Sequence, residues 1–246
     1  MKKIVIIGAN DFQNQLILKA KEMGFETHVF AWQDGSIGER TADYFYPVSI
    51  VEIDEILEKC KEIKPDAVAT IASDLANITV SKVAAGLGLP GNTPECIEIS
   101  TNKYAMRSAF LKAGIPTPAF YKVDQVQDEL YKMKLPVIVK PTDRSGSRAI
   151  TKITDFKDLE GAIQDAVDQS FEKKAIVEEY IEGNEYSYET ISYRGKHTNL
   201  AVTKKYTTGA PHFIETGHCE PSDLSKETLE KVHKTMYAAL DALKIT

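Results

Sequence analysis

The sequence predicts an α/β protein in which an N-terminal doubly wound parallel sheet is followed by an α+β region. In the N-terminal part, short apolar runs alternate with amphipathic helical segments. That alternation is the pattern of strand–helix–strand units, whose strands are parallel. In the C-terminal part, two β-rich segments flank a turn at Arg194–Gly195, which is typical of an antiparallel hairpin.

The N-terminal elements alternate between buried strands and helices. The first strand, Ile4 to Ile7, ends at Gly8, and a helix from about Asp11 to Met23 follows. The next predicted elements are the strand Thr27 to Ala31, the helix Ile53 to Ile63, the strand Ala67 to Ile71 and the helix Leu75 to Leu87. Gly and Pro cluster between Gly88 and Glu95, so we place a domain boundary there, with a first domain of residues 1–92.

The second domain, residues 93–246, is expected to have a small lobe over about 115–182 and the start of a larger lobe after it. Its first helix is predicted from Thr101 to Ala113. The elements that follow are the strand Leu135 to Lys140, a helix around Phe156 to Ser170, the strand Ala175 to Ile181, and the paired strands Glu185 to Tyr193 and Thr198 to Tyr206. Ser225 can cap a last helix. The apolar stripe of that helix is formed by Leu229, Val232, Met236, Leu240 and Leu243.

Composition and charge narrow the class of protein. The chain has 246 residues, of which 43% are hydrophobic and 27% charged, which is ordinary for a globular protein. The net charge of −6 argues against a general nucleic-acid binder. No stretch approaches the ~20 apolar residues of a membrane helix. Cys60, Cys96 and Cys219 form no CxxC pair, which fits free thiols in the cytoplasm.

The segment VIVKPTDRSGSR, Val137 to Arg148, carries the most informative local chemistry. A β-branched strand ends at Lys140, which contributes a compact positive charge, and Pro141 follows. The loop then offers hydroxyl groups and backbone N–H groups from Ser145, Gly146 and Ser147. A cation beside such a loop suits a polyphosphate. The alternative is a strand that ends in an ordinary surface lysine and turn.

Three motifs in this order resemble the ATP-grasp superfamily: VIVKP, SGSR and the segment VEEYIEGNEYS from Val177 to Ser187. Lys103, in the first turn of a predicted helix, precedes them. The resemblance covers essentially the whole chain, and residues 1–92 resemble the α/β domain that comes before an ATP-grasp region. The stretch TTGAPHFIETGH, Thr207 to His218, is similar to the carboxylate–amine ligase and carbamoyl-phosphate-synthase-like branch in particular.

The resemblance implies a site for ATP. In such a site Lys103 and Lys140 neutralise the phosphates, and the Ser145–Gly146–Ser147 loop closes over them as a lid. The adenine edge bonds to the backbone around Glu179, Tyr180 and Ile181, its amine meets the Glu178 side chain, and the ribose hydroxyls meet Glu185. Glu178 and Glu179 could alternatively be exposed strand acids, and Lys103 a solvated helix lysine. Tyr180 and Ile181 are expected to be partly in the core.

The implied reaction is that of an ATP-dependent ligase. A substrate carboxylate becomes an acylphosphate, which an amine or similar nucleophile then attacks; an amino acid is the expected substrate. Lys205 and Arg148 are the candidate catalytic residues, and His212 and Glu215 are candidates for the second-substrate side. Family members use Mg²⁺, whose ligands are expected beyond Thr246. We therefore expect this chain to be the nucleotide-binding front part of a longer enzyme, without ATP turnover of its own.

Alternative functions remain open at this point. One is a non-catalytic nucleotide-binding or regulatory module. Another is a dinucleotide-binding oxidoreductase, although GANDFQNQ does not spell the GxGxxG fingerprint. His212 and His218, with Glu215 between them, could also form a zinc site, but no fourth ligand is evident.

The loop departs from the family pattern at one position. Ala149 stands where related loops often have Gly, so the geometry of the lid is expected to differ.

Overall fold

A computed structural model describes residues 1–210 and 213–246 of the chain. It divides into two compact units, Met1–Glu98 and Ile99–Thr246. The division falls within a helix, Pro94–Thr101, whereas the boundary expected from the sequence lies between residues 92 and 93. No helix in the described part of the chain is both long enough and apolar enough to cross a membrane.

The first unit is built on a four-stranded parallel sheet. Its strands are β1 (Lys3–Ile7), β2 (Glu26–Phe30), β3 (Tyr44–Tyr46) and β4 (Ala67–Ala69), in the order β3-β2-β1-β4. The helices are α1 (Asp11–Glu22), α2 (Ile37–Thr41), α3 (Ile53–Ile63) and α4 (Asp74–Leu87), and α5 (Pro94–Thr101) begins in this unit. The parallel sheet confirms the predicted fold of the N-terminal part.

Strand β1 is buried on both faces, which explains its continuous apolar run. On one face, Val5 and Ile7 pack in a cluster with residues of α3 and α4. On the other face, Ile4 and Ile6 pack with Ile17 of α1. Because helices cover both faces, the sheet is doubly wound, as the alternation in the sequence predicts.

The second unit is α+β, as predicted. Its helices are α6 (Lys103–Lys112), α7 (Leu159–Gln169) and α8 (Lys226–Ala242), and short 3₁₀ turns lie at Asp128–Lys132 and Phe156–Asp158. Its strands are β5 (Phe120–Val123), β6 (Val137–Pro141), β7 (Thr151–Ile153), β8 (Ala175–Glu179), β9 (Glu185–Tyr193), β10 (Lys196–Thr207) and β11 (Glu215–Cys219). They form two antiparallel sheets, in the orders β5-β8-β6-β7 and β11-β10-β9.

The four-stranded sheet has one core face and one face that carries polar groups. Val137 and Val139 of β6 and Val177 of β8 pack in the core with residues of α7. Successive side chains of a strand point to opposite faces of a sheet. Lys140 and Glu178 therefore lie together on the face opposite to α7.

The hairpin of β9 and β10 follows the prediction closely. Strand β9 has the predicted bounds, and β10 begins slightly earlier than expected, at Lys196. Arg194 and Gly195 join the two strands with positive φ angles of 52° and 73°. A two-residue turn with positive φ at both positions matches the twist of the strands.

The predicted helix from Thr101 to Ala113 is wrong at its start. Helix α5 ends at Thr101 and α6 begins at Lys103, because Asn102 between them caps α6. The Asn102 side chain accepts hydrogen bonds from the backbone nitrogens of Tyr104 and Ala105, both at 3.1 Å. An asparagine cap starts a new helix rather than continuing the old one. The short strands β3, β5, β7 and β11 were also not predicted.

Candidate functional site

The pairing of β6 with β8 brings Lys140 and Glu178 together. Ile138 of β6 lies opposite Glu178, so Lys140 is the diagonal neighbour of Glu178 on the same face. The Lys140 Nζ atom donates to Oε1 of Glu178. The two side chains are 16% and 6% exposed, so the ion pair is largely shielded from water.

A second cation reaches Glu178 from α6. The Nε atom of Arg107 donates to Oε2 of Glu178 at 3.0 Å, so each carboxylate oxygen has its own cationic partner. Burial by itself would raise the pKa of Glu178, but Lys140 and Arg107 outweigh it, and the pKa is lowered. The alternative that Glu178 is an ordinary exposed acid is therefore wrong, whereas Glu179 is exposed.

Lys103 lies against the chain that follows β6. Its backbone nitrogen donates to the carbonyl oxygen of Thr142 at 2.7 Å, and its Nζ atom donates to the carbonyl oxygen of Arg144. The alternative of a fully solvated helix lysine is therefore wrong. Because Arg144 precedes the Ser/Gly loop directly, Lys103, Lys140 and that loop are brought to one region of the second unit.

The Ser/Gly loop, Ser145 to Arg148, has an unusual backbone. Gly146 and Ser147 have φ angles of 72° and 55°, and Ala149, just after the loop, has a φ angle of 49°. Ala149 therefore lies in the left-handed region in which glycine is favoured, although it carries a Cβ atom. For a residue with a Cβ atom, that conformation has a steric cost of roughly 1–2 kcal/mol. Ser145, Gly146 and Arg148 are exposed.

The segment after β8 was predicted to offer its backbone to adenine. The Glu179 nitrogen donates to the Ala119 carbonyl at 2.9 Å, and the Tyr180 nitrogen donates to the Pro136 carbonyl at 3.3 Å. These two amides are therefore already used by the protein. Tyr180 is half-buried, with Nζ of Lys152 3.6 Å from its ring centroid.

Ile181 lies just beyond the end of β8. Its side chain is 63% exposed, so the expectation that it is partly in the core is wrong. The strand ladder stops at Glu179, and Ile181 is outside it. The amides of Glu179 and Tyr180 donate to protein carbonyl groups, whereas Ile181 lies beyond the strand.

The three-stranded sheet brings together three of the predicted site residues. Nζ of Lys205 on β10 lies 3.7 Å from Oε2 of Glu185 on β9 and 3.4 Å from Oε2 of Glu215 on β11. His218 extends the cluster, since its Nε2 atom is 2.9 Å from Oε1 of Glu215 and its Nδ1 atom is 2.8 Å from Oγ1 of Thr203. The hydrogen bond from His218 is the main cause of a lowered pKa of Glu215.

Two further residues were predicted for the site. Arg148 is exposed, and His212 lies outside the described residues. In residues 1–210 and 213–246, no three His, Cys, Asp or Glu side chains are grouped as candidate metal ligands.

Sequence reasoning missed Arg107 and assigned His218 only to a zinc hypothesis. Arg107 stands four residues after Lys103 on α6, and residues at that spacing lie on the same face of a helix. That spacing is the signal that could have identified it. His218 lies opposite Lys205 in the β10–β11 pairing, which no local pattern specifies.

Comparison with known proteins gives a family match for the second unit. Residues 133–246 match the model of the ATP-grasp domain. The alanine–anticapsin ligase of Bacillus subtilis (strain 168) is 28% identical over 217 residues, which cover 78% of this chain and 45% of that protein. This chain thus spans less than half the length of that relative.

Solved structures agree with the family match. The L-amino acid ligase from Bacillus licheniformis superposes with a TM-score of 0.85 and 25% identity, over 99% of this chain and 60% of that chain. The biotin carboxylase domain of the Hydrogenobacter thermophilus 2-oxoglutarate carboxylase, solved with MgADP, has a TM-score of 0.82. It is 18% identical, over 99% of this chain and 58% of that chain, so it supports the fold alone.

Proposed function

We propose that this chain, whose residues 133–246 match the ATP-grasp domain model, belongs to that superfamily, binds ATP and serves in a ligase that joins a carboxylate to an amine. The observation that carries the proposal is the convergence of Lys103, Lys140 and the Ser/Gly loop in the second unit. The names of the two ligases reported above support the reaction class. No observation favours the alternative of a non-catalytic module.

In the proposed complex, the two lysines bind the phosphates of ATP. Both now donate to protein acceptors, Lys103 to the Arg144 carbonyl and Lys140 to Glu178. Phosphate oxygens replace these acceptors when the nucleotide binds. Each hydrogen bond to a charged group contributes roughly 1.5–3 kcal/mol net, so two lysines are enough for a strong preference for phosphorylated ligands.

The Ser/Gly loop is the proposed lid over the β- and γ-phosphates. Its exposed residues Ser145 and Gly146 have backbone N–H groups and a hydroxyl group to offer to anionic oxygens. When it closes, it keeps water away from the phosphoryl group, which prevents hydrolysis of the nucleotide and of the acylphosphate.

The base and the ribose are assigned to the segment that connects β8 with β9. We place the adenine edge at the backbone of Ile181 and the carbonyl of Glu179, and the adenine amine near Glu178. Glu185, the first residue of β9, accepts from the ribose hydroxyls, because a carboxylate is a pure acceptor. The Tyr180 and Glu179 amides, which the sheet already uses, are not assigned to the base.

The proposed chemistry has two steps. A carboxylate oxygen of the substrate attacks the γ-phosphorus of ATP, the bond to the β–γ bridging oxygen breaks, and ADP leaves. The amine nitrogen then attacks the acyl carbon, the bond to the phosphate oxygen breaks, and inorganic phosphate leaves as the amine loses a proton. Lys205 stabilises the charge on the transferring phosphoryl group, which is a positioning and electrostatic role.

The second-substrate side is assigned to Arg148, His212 and Glu215, and the substrate is proposed to be an amino acid. Support comes from the relatives named as alanine–anticapsin ligase and L-amino acid ligase. For Mg²⁺, the nearest carboxylates on the three-stranded sheet, Glu185 and Glu215, both contact Lys205, and the described residues hold no three-ligand group. These residues do not fit a metal site by themselves, so we route no step through one.

The experiment that tests the function is a screen for ADP release. The full-length protein is incubated with ATP and pairs of amino acids or small carboxylates, beside a Lys140→Ala control. Release that depends on a carboxylate and an amine together, and that is lost in the control, supports the proposal. Nucleotide affinity is measured in parallel by calorimetry, and a protein that binds neither ATP nor ADP would contradict it.

A further inference from the structure

Among the described residues, Glu178 has the only buried carboxylate, and it forms ion pairs with two cations from different elements. Lys140 from β6 occupies Oε1, and Arg107 from α6 occupies Oε2. One cation is enough to compensate the charge of one buried carboxylate. With two cations present, one of them can leave Glu178 without exposing an uncompensated buried charge.

Lys140 is the cation with a second partner, because the proposed function assigns it to phosphate. While it stays on Glu178, its ammonium group is only partly available to a nucleotide. If it left Glu178 without a replacement, a buried carboxylate would remain without a cation, which is strongly unfavourable. Binding of phosphate would then have to overcome that cost.

We propose that Arg107 is a positioning residue, which neutralises Glu178 so that Lys140 can move from Glu178 to the phosphates of a bound nucleotide. The inference rests on the proposed function. It adds a residue that the motifs did not identify, and it gives the buried carboxylate a role as the resting partner of Lys140.

The position of Arg107 suits this role. Helix α6 lies over the same face of the sheet, where Tyr104 packs edge-to-face against Phe120 with ring centroids 5.6 Å apart. Phe120 is the direct neighbour of Glu178 in the β5–β8 pairing. The helix is thus anchored one strand away from Glu178. A guanidinium group stays charged in a partly buried position, so Arg107 remains a cation after Lys140 has left.

The test is a double-mutant cycle between Arg107→Gln and Glu178→Gln, with ATP and adenosine binding measured by calorimetry. Arg107→Gln alone should weaken ATP binding at least about tenfold, because Lys140 is then held as the only cation on Glu178. Adenosine binding should change less than about threefold, since adenosine has no phosphate. Arg107→Lys keeps the charge and should retain most of the ATP affinity.

The effect of Arg107→Gln in the Glu178→Gln variant shows whether Arg107 acts through Glu178. When Glu178→Gln removes the buried charge, adding Arg107→Gln should change ATP binding less than about threefold. An equal tenfold loss in both backgrounds would show that Arg107 does not act through Glu178, and would overturn the inference. If Arg107→Gln alone does not fold, a tenfold loss on adding Arg107→Gln to Glu178→Gln still overturns the inference, and Arg107→Lys supplies the comparison in the parent. A parent protein that binds no ATP would instead defeat the proposed function itself.

Discussion

The hydroxyl group of Ser147 donates a hydrogen bond to the carbonyl oxygen of Phe213, 3.2 Å away. This bond joins the Ser/Gly loop to the loop between β10 and β11. A single neutral hydrogen bond contributes only about 0.5–1.5 kcal/mol net. The contact can therefore hold the Ser/Gly loop near the other loop, and it breaks easily when the loop has to open for a nucleotide.

We predict that the segment from Asp143 to Arg148 is mobile without nucleotide and is ordered by ATP. Limited digestion with trypsin should cut at Arg144 and Arg148 in the free protein, and saturating ATP should slow both cuts. Adenosine should not protect them, because it has no phosphates to order the loop. Equal cutting rates with and without bound ATP would contradict the assignment of this segment as a lid.

Replacing Lys140 should weaken ATP binding strongly. We expect Lys140→Ala to lose more than about tenfold in affinity, since a phosphate charge is left without its partner. Calorimetry measures the effect, with Lys231→Ala as the control. Lys231 makes an exposed pair with Glu227 on α8, so its removal should leave ATP binding unchanged. Comparable affinity of Lys140→Ala and the parent would refute the phosphate assignment.

Replacing Glu185 should have a milder effect that is confined to the ribose. The parent should bind ATP more tightly than 2′-deoxy-ATP, and Glu185→Ala should reduce that preference while affecting ATP less than Lys140→Ala does. Glu189→Ala, an exposed carboxylate on the same strand, is the matched control. If Glu185→Ala keeps the full preference for ATP, the carboxylate does not bind the ribose.

Ala149→Gly should be tolerated better than an ordinary Ala→Gly change. At a φ angle of 49°, glycine removes a steric cost of roughly 1–2 kcal/mol, which offsets the roughly 0.4–1 kcal/mol lost through unfolded-state entropy. Ala238→Gly, at an exposed position of α8, should instead destabilise by roughly 0.5–1 kcal/mol. Urea denaturation compares the two variants. Equal losses of stability would mean that the Ala149 backbone is not strained.

Stability should fall in acid, partly because of Glu178. The folded-state pKa of Glu178 is lowered, so the stabilisation from its ion pairs is present above its unfolded pKa of about 4.3 and is lost as the pH falls through the folded value. Glu178→Gln should flatten this acid decline. Urea denaturation between pH 7 and pH 3 measures it. A variant with the same pH dependence as the parent would show that Glu178 makes no such contribution.

The sequence by itself determined the features that depend on local patterns. Apolar runs separated by helical periods predicted the parallel sheet, and Arg194–Gly195 predicted the hairpin. Ser225 predicted the start of α8, and its side chain indeed accepts from the Thr228 nitrogen. The motifs also predicted an ATP-grasp region, and residues 133–246 match the model of the ATP-grasp domain. Such features depend on residues that are close in the chain, so the local sequence is enough to predict them.

Only the tertiary structure decided which charges meet. The alternation in VIVKP places Lys140 on the face opposite to Val139, but the register of β6 against β8 is what puts Glu178 next to it. The cap at Asn102 starts α6 at Lys103 and thereby aims Arg107 at the same carboxylate. Which cations contact this buried carboxylate depends on the register of β6 against β8 and on where α6 packs. Because both depend on contacts between residues far apart in the chain, the sequence pattern could identify Lys140 but not the pair of cations that share Glu178.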